Sequence, residues 1–104
     1  MTTKHLTLAA AVATFAWTAH SASASEELAQ GSGCMACHSV DAKVVGPGFT
    51  EIAEKYRGQD GAADELVMKV TNGGSGNWGQ IPMPPNAHLS SEDIQAMVDW
   101  ILAM

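Results

Sequence analysis

Cysteine is nearly absent: Cys34 and Cys37 are the two in 104 residues. As a disulfide their spacing would close only a tiny strained loop, so a disulfide-rich framework is excluded. Basic residues are scarce too, five against eleven acids, and nowhere clustered. That excludes nucleic-acid backbones and anionic membrane surfaces as partners, because both need patches of Lys and Arg. A membrane span is missing as well: the apolar stretch Leu6 to Phe15 is short, diluted by Thr7 and Thr14, and ends in Ala and Ser rather than basic residues. No Arg-Arg pair precedes it, which argues against a twin-arginine route. No alternating run of β-branched residues, internal repeat or second domain occurs, so the reading is one all-α domain.

What is present begins with an export signal over residues 1–24. Lys4 gives a positive start, Leu6 to Phe15 the apolar stretch, and Ala22-Ser23-Ala24 the small residues that a signal peptidase accepts. Residues 25–104 remain as the domain, 80 residues long. Lys4 leaves with the leader, so four bases face eleven acids in the domain, a net charge of −7 with His neutral. The charge favours solubility. A domain this small buries a modest fraction of its surface and usually needs a staple, which the cysteines do not supply as a disulfide.

Local patterns place four helices. Ser25 can cap a short first helix through Gln30, weakened by Gly31-Ser32-Gly33. Thr50 can cap a second, with Phe49 packing back, Tyr56 on the Ile52 face and Gly58 as the stop. Asp60 can cap a third, in which Leu66, Val67 and Val70 share a face before Asn72-Gly73. The last is the strongest: Ser90 caps, Asp93 completes a capping box, Leu89 and Ile94 form a hydrophobic staple, and Ile94, Met97, Val98, Ile101 and Leu102 make one apolar stripe. Thr71 to Leu89 is a long Gly/Pro-rich connection without period, a length that marks a functional loop. A large bound group serving as half the core would organise this loop and act as the staple.

Cys34-Met35-Ala36-Cys37-His38 has the spacing for covalent haem attachment. Two thiols three positions apart can each add to a vinyl group along one porphyrin edge, and the following imidazole then reaches the iron. Such attachment is extracytoplasmic, which the leader supports independently. A thioredoxin-like dithiol wants a βαβ setting, and zinc wants four ligands without a further cysteine to provide them.

The other iron position needs a methionine or histidine. Met68 and Met97 sit within helices, where methionine is usually core filler, and Met104 is terminal. Met83 stands in Gln80-Ile81-Pro82-Met83-Pro84-Pro85-Asn86, where prolines fix the backbone and lower the entropy lost on ligation. His88, five residues on, is the rival; the Met/His pairing of electron-transfer haems favours Met83. A thioether raises the potential, and filling both axial positions leaves no place for a substrate.

With these residues in view, the chain resembles the short bacterial class I cytochromes c over nearly all of 25–104. The likeness rests on the attachment motif, Val45-Gly46-Pro47, Trp78-Gly79, the Pro82-to-Asn86 loop and Trp100-Ile101-Leu102. It implies four or five short helices around one covalently bound haem c, with Cys34, Cys37, His38 and Met83 binding the cofactor and His38 and Met83 binding its iron. It also implies that Pro47 offers its carbonyl to His38, that Trp78 lies against the haem and directs its indole N–H to a propionate, and that Asn86 supports the Met83 loop. Trp100 resembles the aromatic where first and last helices cross, but Ala29 stands near where relatives commonly carry a bulky aromatic, which puts that packing in question. The expected protein is a monomeric periplasmic electron carrier with no catalytic residues, cycling Fe(II)/Fe(III) between transient redox partner proteins of a respiratory chain. A haem enzyme with a displaceable Met83 and a haem-free dithiol domain are the competing functions.

Overall fold

Four α-helices occur among the described residues, in chain order α1 (Ala22–Gly31), α2 (Phe49–Tyr56), α3 (Ala62–Asn72) and α4 (Ser91–Leu102), with a 3-10 turn over Cys34–Ala36. The structure, a computed structural model, describes residues 10–14 and 22–104, and over 22–24 the backbone alone. Most of the expected leader, Lys4 included, lies outside the described residues, while 10–14 are exposed and carry no regular secondary structure. The described residues contain no strand, only isolated bridges pairing His38 with Lys43 and Gly74 with Met83. No helix among them is long and apolar enough to cross a membrane.

α4 is the centre of the packing, and α1, α2 and α3 each lie against it. Its apolar stripe is the reason: Ile94, Met97, Val98 and Ile101 are buried, with Leu102 and Leu89 partly buried against the same cluster. Burying each such side chain stabilises the fold by about 1.5–3 kcal/mol. Ser90 caps the helix as expected, its Oγ accepting the Asp93 N–H at 3.1 Å. The reciprocal half of a capping box, from the Asp93 carboxylate, is not among the hydrogen bonds of the described residues, consistent with the shorter reach of Asp than of Glu.

Three other expected caps are corrected. α1 begins at Ala22 rather than after Ser25, because Ala22-Ser23-Ala24 continues the helical backbone. α2 is capped at Gly48, not Thr50: the Gly48 N–H donates to the Glu51 carboxylate at 3.1 Å. The next two N–H groups, of Phe49 and Thr50, donate to the carbonyls of Ser39 and Val40 at 2.9 Å each. The loop after the cysteine motif therefore satisfies donors that a helix start leaves free. α3 is capped at Gly61 with φ +76, one residue after Asp60. The expected ends hold: α1 stops at Gly31, α2 before Gly58 and α3 at Asn72-Gly73.

Ala29 is 1% exposed on α1, which packs on α4. A methyl side chain at this position permits close helix approach, and its burial shows that the position is covered without a bulky aromatic. Trp100 packs against the core cluster that contains Ala29 and meets Phe49 of α2, ring centroids 5.4 Å apart at 71°, an edge-to-face pair.

Candidate haem site

A cavity of about 600 Å³ opens between the 3-10 turn, α2, α3, α4 and the Gly/Pro-rich loop, within the range of roughly 300–1,000 Å³ found for cofactor clefts. Cys34, Cys37, His38 and Met83 all line it. His88 is exposed and does not line it, and neither does the exposed Met68 of α3 or the terminal Met104, so of the alternatives weighed for the second iron ligand only Met83 and Met97 reach the cavity. Met97 reaches the wall from within the buried core.

His38 is fixed from three sides. Its N–H donates to the Cys34 carbonyl at 3.0 Å, closing the turn. Its ring Nδ1 lies 2.7 Å from the Pro47 carbonyl, as expected for Pro47. A carbonyl can only accept, so Nδ1 carries the hydrogen, the tautomer whose neutral ring offers its lone pair at Nε2. Phe49 stacks on the ring at 5.3 Å and 23°, and Trp100 backs Phe49. On the remaining side Gly46 lies so near that a Cβ there would stand 2.6 Å from His38 Cε1. Hydrogen bonds from the Val45 and Gly46 N–H groups to the Cys37 carbonyl, at 3.2 and 2.7 Å, hold this loop against the motif.

The Met83 segment is tied to α3. Met83 and Gly74 exchange backbone hydrogen bonds at 2.8 and 3.0 Å, and the Asn86 N–H donates to the Val70 carbonyl at 3.0 Å. Asn86 Nδ2 also donates to the Pro84 carbonyl at 3.2 Å, so Asn86 braces the loop as expected. Trp78 lines the cavity with its outer face partly exposed. Lys55 lies over its ring, 4.6 Å from the centroid, and donates to the Asn77 carbonyl at 3.1 Å. Asn77 in turn donates to the Tyr56 hydroxyl at 3.2 Å, so α2 holds the tip of the loop through consecutive residues.

The competing chemistries fit poorly. Burial pushes the Cys34 thiol above its ordinary pKa, with a smaller opposing backbone hydrogen bond, whereas a reactive dithiol needs a lowered one. Among the described residues no three His, Cys, Asp or Glu side chains group to hold a metal ion on their own.

The cytochrome c family model matches residues 22–104. The chain belongs to the cytochrome c family. Cytochrome c-551 of Allochromatium vinosum is 58% identical over 86 residues, covering 83% of this chain and 92% of the relative. Cytochrome c-552 of Nitrosomonas europaea is 51% identical over 83 residues, covering 80% of this chain and 81% of the relative. In three dimensions, wild-type Nitrosomonas europaea cytochrome c552 matches with a TM-score of 0.73 at 51% identity, over 75% of this chain and 96% of that one. The class 1 cytochrome MtoD of Sideroxydans lithotrophicus matches with a TM-score of 0.67 at 36% identity, over 78% of this chain and 92% of that one. The resemblance to class I cytochromes c and the all-α fold are thereby borne out. As a cytochrome c the chain is an electron-transfer protein rather than an enzyme, and its cofactor is one covalently attached haem c, for which Cys34 and Cys37 fit the attachment motif.

The cavity of this cytochrome c suits that cofactor. Its wall is largely apolar, including Val44, Val45, Ile52, Leu66, Val70 and Ile81. Lys43 and Lys69 also line it, while none of the eleven acids does, a polarity that suits a group carrying two carboxylates. Sequence reasoning missed the support behind the candidate ligands: Phe49 against the imidazole, Gly46 beside it, and the Lys55, Tyr56 and Asn77 tie to the loop. The glycines on either side of Pro47 were the visible hint of a close approach, since a Cβ on Gly48 would also meet backbone, 2.9 Å from the Ala42 nitrogen.

Proposed function

We propose that the protein is a periplasmic, six-coordinate monohaem carrier that shuttles single electrons between respiratory redox proteins, with Cys34 and Cys37 forming thioethers and His38 and Met83 holding the iron. The observation that carries this reading is the convergence of those four side chains on one cavity, from which His88 is excluded. When bound, the haem supplies a one-electron Fe(II)/Fe(III) couple. The chain's own residues set the conditions for it. His38 presents Nε2 as the donor because Pro47 engages Nδ1, and that bond raises the basicity of the imidazole. The Met83 thioether is a soft ligand that favours the reduced state. Trp78, on the cavity wall, would direct its indole N–H to a propionate. The apolar wall limits water and thereby helps to set the potential.

Residues 1–24 would be the removable export signal and 25–104 the mature, monomeric domain. Encounters with donor and acceptor would be brief and small, under about 1,200 Å² of buried surface, as for other redox pairs. The deciding experiment compares wild type with Met83→Ala and His88→Ala after periplasmic maturation. Wild type should show a thioether-linked haem in the pyridine assay and a sulfur-to-iron charge-transfer band when oxidised. Met83→Ala should abolish the band and lower the potential, and His88→Ala should change neither. An oxidised wild type without the band, reacting rapidly with peroxide, would favour the enzyme reading instead. Fractionation and N-terminal sequencing check the export signal: the mature chain should start at Ser25.

A further inference from the structure

The backbone of the Met83 loop lies against the end of α3 at a distance that only a glycine permits. Over residues 83–86, Pro84 and Pro85 have no N–H to give, so Met83 and Asn86 are the two possible donors. Both donate to the α3 end, Met83 to the Gly74 carbonyl and Asn86 to those of Val70 and Thr71, the latter at 3.2 Å. Gly73 sits between these anchors. Its φ of +70 belongs to the left-handed region, and its N–H closes α3 onto the Lys69 carbonyl at 2.7 Å. A Cβ on Gly73 would stand 2.9 Å from the Pro84 carbonyl carbon and the Pro85 nitrogen, and closer still to the Met83 carbonyl oxygen. All three are backbone atoms in a segment stiffened by proline, so no side chain can swing away to make room.

We propose that Gly73 is a positioning residue for the Met83 ligand: its bare Cα lets residues 83–85 seat on the end of α3, and that seat sets how far the thioether reaches into the cavity. The inference rests on the reading of Met83 as the iron ligand and adds a residue that touches neither iron nor porphyrin. A side chain at position 73 would lift the ligand segment as a unit, without altering the methionine itself.

The test uses the haem-loaded protein and three variants. Gly73→Ala places the Cβ against the loop. Gly58→Ala is the control, since Gly58 has a φ of +78 and nothing within 4 Å of its Cβ position. It therefore puts an alanine at a positive φ without the collision. Met83→Ala reports the loss of the ligand outright. The expected result is that Gly73→Ala weakens or loses the sulfur-to-iron band and shifts the midpoint potential in the same direction as Met83→Ala, while Gly58→Ala keeps both at wild-type values. If Gly73→Ala behaves like Gly58→Ala, the positioning role is overturned and the Met83 reading stands. If Met83→Ala keeps the band, the Met83 reading falls and the proposal with it.

A second measurement keeps the idea exposed if Gly73→Ala yields no folded holoprotein. The Gly74 N–H bonds the Met83 carbonyl, and coupling between seat and ligation must be reciprocal. Amide exchange at Gly74 should therefore quicken in Met83→Ala by roughly 5–150-fold relative to wild type. Unchanged exchange would show that seat and ligand are uncoupled and would overturn the proposal.

Discussion

Tyr56 shows how one side chain serves the core and the site together. Its ring is buried in the cluster around α4, while its hydroxyl accepts the Asn77 amide and so anchors the loop that carries Trp78. Burial, and secondarily the nearby Glu65 charge, raise its phenol pKa above the ordinary value of 10.0, the Asn77 bond opposing them less strongly. A raised pKa means that the folded state holds the proton more tightly than the unfolded chain. The associated stabilisation is complete below about pH 10 and is lost as the pH climbs from there through the higher folded value. Tyr56→Phe keeps the buried ring and removes both the hydrogen bond and the titration. It should cost about 0.5–1.5 kcal/mol at neutral pH. Denaturant midpoints measured from pH 7 to 11 should show the two proteins drawing together above pH 10, because only wild type loses stability there through this group.

At the scale of elements, α4 is the helix that the others need, and its start depends on one hydroxyl. Ser90→Ala removes the acceptor for the Asp93 N–H and should cost about 1 kcal/mol. In a domain of this size that lowers Tm by about 4–8 °C, measurable by thermal melting of the holoprotein. α4 was legible in the sequence because everything that defines it is local: a cap three residues from its partner, and an apolar stripe with a period of 3.6. α2 was legible in existence but not in its first residues. Gly48 caps it, with the Phe49 and Thr50 donors satisfied by the carbonyls of Ser39 and Val40, each ten positions back, and no local pattern announces such partners. The candidate site divides the same way. The cysteine motif and the proline-flanked Met83 could be read from spacing, and Pro47 from resemblance. The stacking of Phe49 on His38 and the contact of Gly73 with Met83 exist only once separate segments are brought together.

For the whole molecule, the domain is built around a volume that its own side chains do not fill. Left without its cofactor, a cavity of about 600 Å³ would cost up to about 14 kcal/mol at about 24 cal/mol per Å³. Water entering an open cleft lessens that figure, yet a domain of this size has only about 4–12 kcal/mol of total stability. The two quantities are of the same order, so loss of the cofactor is expected to unfold most of the chain. The elements around the cavity point the same way: α2 and α3 each pack on α4 but share few contacts with each other, and the loop is tied to them mainly by hydrogen bonds around the cavity rim. Replacing Cys34 and Cys37 together by Ala, with the leader retained for export, should therefore give a colourless chain whose far-UV circular dichroism lacks most of the helix seen in the holoprotein. Adding free haem should restore part of that helix, since His38, Met83 and the apolar wall remain. A double variant that is fully helical and melts cooperatively without haem would show that packing around α4 suffices, and that the cavity is a pocket in a finished fold rather than half of its core.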